Sequence, residues 1–366
     1  TTEFDIGQSG NDVTFTDKTA HSVAPVDVAQ VSLGAATSLP ENARVVQGGS
    51  RLAVMDASGG QVWFSQVSSP SSTAYTDEGA VATDMDQGVA TVSQKGTLFA
   101  ISPRAGRRIS VTREGQLDRL KSTDIKGLSA NAELVLTAVG EQPVALDTRN
   151  RVLVLPDGSL RNLADDGISA SVTLQDVGPD SSSVLLATDR ELISVPLKGG
   201  AVTKIPASSD GSSGTPARPV FHKGCAYGAW AKSGAYVRNC TDPSLNNQMI
   251  VDSLKKATTI VFRTNRTRIV LNDTTSGSVW LPEHNMVLMD DWDKQDPNLD
   301  KKEKEEDSPQ ITDQIADPQR QDHNTPPDAV DDEFGIRPGR TTTLPVLNND
   351  SDADGDVLTA RPVTDP

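Results

Sequence analysis

Two stretches of this 366-residue sequence repeat one pattern: residues 56–63 read DASGGQVW and residues 273–280 read DTTSGSVW. In both, glycine follows the aspartate four positions later, and Val-Trp comes at the sixth and seventh positions. Each copy follows a short apolar run, 52–55 in the first and 268–271 in the second. Aspartate satisfies turn amides, glycine supplies a positive φ, and Val-Trp restarts a strand. The pattern therefore predicts the same β-hairpin at two distant places.

Looser versions of this hairpin occur elsewhere in the chain, at 5–15, 92–99, 145–153, 185–193 and 225–240. The residues that mark the second strand of each hairpin are Phe15, Trp63, Phe99, Leu153, Ile193, Tyr236 and Trp280. They are spaced 36 to 54 residues apart, with a mean of about 44, and four-stranded propeller blades repeat every ~40–45 residues. We therefore predict an all-β chain with a β-propeller at 1–293, with seven blades favoured over six. A pair of β-sandwiches is the competing architecture.

The two cysteines, Cys225 and Cys240, flank a predicted hairpin with its turn at 232–234. They would lie near the open ends of two adjacent strands, where a bridge is geometrically feasible. This placement favours a disulfide and an oxidising, extracytoplasmic compartment. Two unpaired buried thiols are the alternative. A metal site is not expected here, because no histidine lies at ligand spacing and two thiolates do not complete a tetrahedral shell.

Acidity is concentrated at the C-terminal end. The whole chain has 34 Lys and Arg against 50 Asp and Glu, a net charge of −16. Residues 290–328 contribute 13 acids and 5 bases (−8), and 329–366 contribute 8 acids and 3 bases (−5), which leaves −3 for 1–289. The balance argues against a nucleic-acid or anionic-membrane binder. We predict an acidic flexible linker at 294–326.

A new signature begins after the linker. Residues 328–359 read DAVDDEFGIRPGRTTTLPVLNNDSDADGDVLT, which resembles the start of the bacterial immunoglobulin-like, cadherin-like module found in tandem on large surface proteins. The segment 327–366 is short of the roughly 100 residues of such a sandwich, so we expect a truncated module. Together with 271–281 and 289–293, the arrangement is similar to large actinobacterial surface proteins. These carry a membrane anchor, an N-terminal propeller-like region and then Ig-like or fibronectin type III modules. The resemblance implies a cell-surface protein whose anchor lies outside this chain.

Four alternate carboxylates in the last segment, Asp350, Asp352, Asp354 and Asp356, surround Gly355. Hard oxygen ligands at this spacing suit Ca²⁺, and the glycine permits the bend that brings them together. The loop is not an EF-hand, because the twelfth position from Asp350 is Arg361 instead of glutamate. The alternative is an Asp-rich turn without an ion. Calcium in the Ig-like module is the one cofactor that the sequence suggests.

Motifs of catalysis are absent from the sequence. It has no Gly-x-Ser-x-Gly elbow, no His-Glu-x-x-His pair and no phosphate-binding Gly-x-x-x-x-Gly-Lys-Ser/Thr loop. Paired carboxylates for glycoside cleavage stay open, because a propeller places them by fold and not by spacing. Aromatic residues at the repeat positions, Trp63, Trp230 and Trp280, together with Trp292, favour packing between sheets over a binding surface.

These observations predict a non-enzymatic, extracytoplasmic binding or scaffold head on a cell surface, joined by the acidic spacer to a stalk of modules. The loops of one propeller rim would recognise a protein, or a cell-wall or host glycan. Two alternatives belong to other classes: a propeller carbohydrate-active enzyme, and the extracellular sensor domain of a membrane signalling protein.

Overall fold

Seven antiparallel sheets follow one another along the chain, and each is made from strands that are consecutive in sequence. The computed structural model describes residues 3–28, 32–70, 75–114, 117–289, 326–331, 346 and 350. Because no sheet exchanges a strand with another, each is an independent blade. The first strands of successive blades contact one another along blades 1 to 5, as expected around a shared axis. The fold is a seven-bladed β-propeller, and this prediction is confirmed.

The first three blades are formed as follows. Blade 1 contains β1 (Phe4–Ser9), β2 (Asp12–Asp17), β3 (Ser22–Asp27), β4 (Ser32–Leu33) and β5 (Thr37–Ser38), the last two both pairing with β3. Blade 2 contains β6 (Arg44–Gly48), β7 (Arg51–Asp56) and β8 (Gln61–Gln66). Blade 3 contains β9 (Val89–Val92), β10 (Leu98–Ser102), β11 (Arg107–Glu114) and β12 (Leu117–Asp124).

The remaining four blades complete the series. Blade 4 contains β13 (Leu134–Val139), β14 (Gln142–Asp147), β15 (Val152–Val154) and β16 (Leu160–Asn162). Blade 5 contains β17 (Thr173–Leu174), β18 (Ser183–Ala187), β19 (Glu191–Pro196) and β20 (Thr203–Pro206). Blade 6 contains β21 (Thr215–Pro216), β22 (Val220–His222), β23 (Cys225–Ala231), β24 (Ala235–Cys240) and β25 (Asn247–Ile250). Blade 7 contains β26 (Ile260–Asn265), β27 (Arg268–Asp273), β28 (Val279–Leu281) and β29 (Val287–Met289). Short 3-10 turns lie at Asp77–Gly79, Leu163–Asp166, Pro243–Leu245, Asp252–Lys256 and Pro282–His284.

The repeated hairpin joins the second and third strands of a blade. Asp56 ends β7 and Asp273 ends β27, and each carboxylate accepts hydrogen bonds from amides of the following turn. Asp17 in blade 1 and Asp147 in blade 4 likewise accept hydrogen bonds from turn amides. In blades 3 and 5, Ser102 and Thr188 occupy the equivalent position and accept through their hydroxyl oxygens. The side chain satisfies turn amides that would otherwise lack a partner. This local chemistry explains why the pattern recurs with the blades.

Two of the looser hairpins occupy a different place in their blades. Residues 5–15 and 92–99 join the first and second strands, so Phe15 lies in β2 and Phe99 lies in β10. The corresponding second-to-third turns follow Asp17 and Ser102. Any Gly-containing turn between two apolar runs gives the same sequence signal. The uneven spacings of 36 to 54 residues follow from this shift.

Six buried apolar clusters join neighbouring blades. Each lies between one pair of successive blades, from blades 1 and 2 to blades 6 and 7. Within the described residues, no such cluster joins blade 7 to blade 1. Polar contacts connect these two blades instead: Asn265 Oδ1 accepts from the Gly10 amide at 2.7 Å, and Arg266 donates to Asn11 Oδ1 at 2.7 Å. We call this contact between blades 7 and 1 the seam.

The segments after the propeller were predicted as the acidic linker 294–326 and the Ig-like module 327–366. The chain divides into two units, Thr1–Asp293 and Lys294–Pro366. Residues 290–325, 332–345, 347–349 and 351–366 lie outside the described residues, so both assignments stay predictions.

Candidate functional site

The turns between the first and second strands of the blades lie together on one face of the propeller, which we call the rim. Strands within a blade alternate in direction, so these turns share an end of the blades with the turns between third and fourth strands. Turns of blades 3, 4 and 5 contact one another directly on the rim. The Gly140 amide donates to the Gly178 carbonyl at 2.9 Å, and Lys95 Nζ lies 3.4 Å from Asp180 Oδ2. Contacts between blades therefore fix this part of the rim.

A cavity of about 330 Å³ lies between blades 3 and 4. We call it the 3/4 cavity. Blade 3 supplies Phe99 from β10, Arg108 and Ser110 from β11, and Lys121 from β12. Blade 4 supplies Glu141 from the turn before β14, followed by Gln142. Its volume lies within the range of ligand pockets, ~300–1,000 Å³.

The pleat of blade 3 explains why polar side chains line this cavity. Ser110 pairs with Phe99 on one side and with Lys121 on the other, so the three side chains share one face of the sheet. The alternate residues Ile109 and Val111 point to the opposite face and are buried between blades 2 and 3. The face of blade 3 that lies toward blade 4 is therefore apolar near the propeller axis and polar on the outer strands.

Two charged groups of the 3/4 cavity have buried atoms without a hydrogen-bond partner: Arg108 Nη1 and Glu141 Oε1. Burial lowers the pKa of the Arg108 guanidinium, and the negative charge of Asp157 partly offsets this effect. A buried charged group without a partner costs free energy. Arg108 and Glu141 both line the cavity as half-buried side chains, and each has one buried atom that no other protein group satisfies.

The 3/4 cavity was not predicted from the sequence. The one local signal is the alternation Arg108-Ile109-Ser110-Val111 in a strand with neighbours on both sides. Polar residues at alternate positions there indicate a face that is incompletely covered by the next blade. Glu141 carries no signal of its own, because it lies in a tight turn where charged residues are common.

The predicted disulfide is confirmed. Cys225 opens β23 and Cys240 ends β24, the two residues are direct cross-strand partners, and their sulfurs are bonded. Both cysteines belong to the buried cluster between blades 6 and 7. The bridge therefore fixes the open end of the hairpin.

Most of the predicted calcium ligands cannot be placed. Asp350 accepts a hydrogen bond from the Val330 amide at 2.8 Å, and Asp352, Asp354 and Asp356 lie outside the described residues. Among the residues with described positions, no group of three or more His, Cys, Asp or Glu comes together as a metal site. Calcium binding in this segment stays a prediction.

The tryptophans pack inside the propeller. Trp63, Trp230 and Trp280 are all nearly fully buried. Each indole N–H has a partner: Trp63 donates to the Thr76 carbonyl, Trp230 to the Thr188 carbonyl and Trp280 to Ser253 Oγ. This confirms the interpretation as core for these three residues, and Trp292 lies outside the described residues.

The aspartates with shifted pKa values in the described part of the chain all shift downward. At Asp56 and Asp273, burial raises the pKa but hydrogen bonds from turn hydroxyls and amides outweigh it. Hydrogen bonds from Ser212 and Ser208 lower the pKa of Asp210 to about 2. A general acid needs a raised pKa. The pKa values of these carboxylates are lowered, because the carboxylates accept hydrogen bonds in turns and ion pairs.

Among the described residues, the structure contains no helix that could span a membrane.

Comparison with known proteins gives no family. No protein-family model matches this sequence, and no curated protein matches it. Among solved structures, a catalytically inactive virginiamycin B lyase from Staphylococcus aureus, crystallised with quinupristin, is 11% identical. It aligns over 74% of this chain and 91% of its own, with a TM-score of 0.49.

Two further solved structures align over a similar part of the chain. Apo AztD from Citrobacter koseri is 12% identical over 79% of this chain and 84% of its own, with a TM-score of 0.46. BamB from Moraxella catarrhalis is 10% identical over 75% and 83%, with the same TM-score of 0.46. At such identities and TM-scores, these likenesses carry no information about what this chain binds.

Proposed function

We propose that this propeller is the extracytoplasmic, non-enzymatic binding head of a cell-surface protein and that its rim recognises a protein partner. The observation that carries the proposal is the construction of the rim. Its turns are joined between blades by hydrogen bonds such as the one from the Gly140 amide to the Gly178 carbonyl. A surface that is already rigid loses little conformational entropy when it binds.

The charges on the rim support a protein partner. Lys95 and Asp180 are about two-thirds exposed although they lie 3.4 Å apart. Lys223, about half exposed, pairs at 3.2 Å with Glu283, which is about a quarter exposed. Exposed pairs of this kind contribute little stability, so they can re-pair with charges of a partner at low cost. Both signs of charge occur side by side, which suits a protein surface better than a polyanion.

The compartment is inferred from the disulfide. Disulfide bonds such as Cys225–Cys240 persist in oxidising environments and are rare in the cytosol.

The non-enzymatic part of the proposal draws support from the lowered pKa values of Asp56 and Asp273, because these carboxylates accept hydrogen bonds from turn amides.

Site-specific crosslinking tests the proposal on the full chain. A photoreactive amino acid is placed on the rim at Lys95 or Lys223 and, as matched controls, at Arg104 or Arg190 in turns of the opposite face. Each variant is incubated with the surface-protein fraction of the source cells. We expect the same crosslinked protein from both rim positions and none from the control positions. Equal crosslinking from both faces, or binding only to wall glycan, would overturn the proposal.

A further inference from the structure

The 3/4 cavity is a second candidate binding site at the edge of the rim, because Glu141 belongs to the rim turn of blade 4. It lies between the outer strands of blade 3 and the start of β14, and it opens to solvent beside the exposed Lys121 and Thr123. Most blade interfaces in this propeller are filled by apolar side chains from both sheets. The apolar cluster between blades 3 and 4 includes Phe99 and its neighbours but leaves the space of the cavity unfilled. Outside Phe99, the space is lined by three charged side chains, two hydroxyl-bearing ones, Gln142, Pro143 and Pro156.

The charged groups of the cavity have not neutralised each other. Arg108 and Glu141 carry opposite charges and line the same space, yet Arg108 Nη1 and Glu141 Oε1 are buried without hydrogen bonds. A buried guanidinium and a buried carboxylate ordinarily pair or recruit other partners, because an unpaired charge in a protein interior is costly. A ligand can bridge these two side chains if it offers an anionic group to Arg108 and a hydrogen-bond donor to Glu141.

The balance of charge sets the class of that ligand. The lining carries two cations, Arg108 and Lys121, and one anion, Glu141. The negative charge of Asp157 also acts on Arg108, so the cavity favours a group with no more than a single negative charge. The guanidinium is shaped for bidentate binding of a carboxylate. A phosphate dianion would place a second negative charge near Glu141, which electrostatic repulsion disfavours. Glu141 instead requires an ammonium or hydroxyl group on the ligand.

We infer that the 3/4 cavity binds a small carboxylate that carries an ammonium or hydroxyl donor, the shared chemistry of amino acids and sugar acids. The carboxylate pairs with Arg108 and Lys121, and the donor group pairs with Glu141. Ser110 and Thr123 offer hydroxyl groups to the remaining polar atoms of the ligand.

Calorimetric titration of the full chain tests this inference with four probes. L-Alanine offers a carboxylate and an ammonium, D-galacturonate offers a carboxylate and hydroxyls, and acetate and inorganic phosphate are the comparison anions. We expect saturable binding of alanine or galacturonate, and whichever binds identifies the donor. If acetate or phosphate binds as tightly as these two, or if no probe saturates up to about 10 mM, the inference is wrong.

Variants connect the binding to the two named residues. R108M removes the guanidinium and is expected to weaken binding at least about tenfold, and E141Q is expected to weaken it about fivefold, since each loses a charge-assisted hydrogen bond. R104M and E41Q change exposed residues away from the cavity and are expected to bind as the wild type does. Unchanged affinity in R108M would contradict the assignment.

Thermal unfolding without ligand separates a binding role from a structural one. Because Arg108 Nη1 lacks a hydrogen-bond partner, R108M is expected to unfold at the same temperature as the wild type or higher. A structural guanidinium would show the opposite result, a clearly lower unfolding temperature for R108M than for R104M. That result would overturn the inference even if no ligand had been tried.

Discussion

Asp273 is 2% exposed, and its carboxylate organises the turn between β27 and β28. It accepts hydrogen bonds from the amides of Thr259 and Thr275 and from Ser276 Oγ. Thr259 precedes blade 7 in the chain, so this one side chain ties the entrance of the blade to its central turn. Asp147 holds the same position in blade 4, where it accepts from the amides of Glu133 and Arg149.

Replacing Asp273 by asparagine is expected to lower the free energy of unfolding by about 1–3 kcal/mol, because charge-assisted hydrogen bonds become neutral ones and one acceptor oxygen is lost. Denaturant unfolding of D273N against the wild type at neutral pH measures this loss. Asp157 caps an exposed turn in a similar way, so D157N is the matched control and is expected to change stability less.

The effect of D273N depends on pH in a defined direction. The folded state lowers the pKa of Asp273 below its usual 3.8: burial raises it, and the hydrogen bonds that it accepts outweigh the burial. The contribution of the carboxylate to stability is therefore fully present above about pH 4 and is lost as the pH falls through the folded-state pKa. The difference between wild type and D273N is expected to shrink below pH 4. A difference that grows on acidification would contradict this assignment.

At the scale of elements, the β23–β24 hairpin is constrained by burial, by a hydrogen bond to blade 7 and by a disulfide. Every residue of β23 is buried, and Tyr236 of β24 donates its hydroxyl to the Pro282 carbonyl of blade 7 at 2.9 Å. The disulfide closes the outer end of the same hairpin. Covalent closure restricts the unfolded chain, and its effect increases with the length of the loop.

Reduction of Cys225–Cys240 is expected to lower the free energy of unfolding by about 3 kcal/mol, because the bridge spans 15 residues. Denaturant unfolding with and without a reductant measures the change. The C225A/C240A double variant is the control, and reductant should leave its midpoint unchanged. The prediction fails if alkylation of the native protein labels both thiols before any reductant is added.

At the scale of the whole molecule, the ring is not uniform. Six buried apolar clusters join the successive blades from 1 to 7. The seam is joined instead by polar contacts between Gly10 and Asn265 and between Asn11 and Arg266. Blade 1 also exposes apolar side chains: Phe4, Ile6 and Leu33 are each about half exposed or more. Apolar burial supplies most of the favourable free energy of folding, so blade 1 is the least stabilised blade.

Native-state hydrogen exchange is expected to show the amides of β1 and β2 opening at a lower free energy than those of blade 4. Asn265 both accepts from the Gly10 amide and donates to its carbonyl, so N265A should lower protection in blade 1 further, by about 1–2 kcal/mol. N131A, at an exposed turn before blade 4, is the matched control. Equal protection of blades 1 and 4 in the wild type would contradict the interpretation of the seam.

Sequence alone determined the features that depend on neighbouring residues. The hydrogen bonds that Asp56 and Asp273 accept from their turns span two or three positions, so the same chemistry leaves the same pattern in each copy and reveals the propeller. Cys225 and Cys240 could be paired for the same reason, since one hairpin fixes their register. Phe15 and Phe99 were placed in the wrong turn of the blade because all Gly-containing turns between apolar runs look alike.

Only the tertiary structure decided how the blades meet. Arg108 and Glu141 are 33 residues apart and belong to different sheets, and no local spacing encodes their approach. The apolar filling of most blade interfaces and the polar seam between blades 7 and 1 likewise depend on which faces the ring brings together. Hydrogen bonds within a turn join residues that are a few positions apart, so they leave a pattern in the sequence. Packing between blades joins faces that only the closed ring brings together, so it leaves no local pattern.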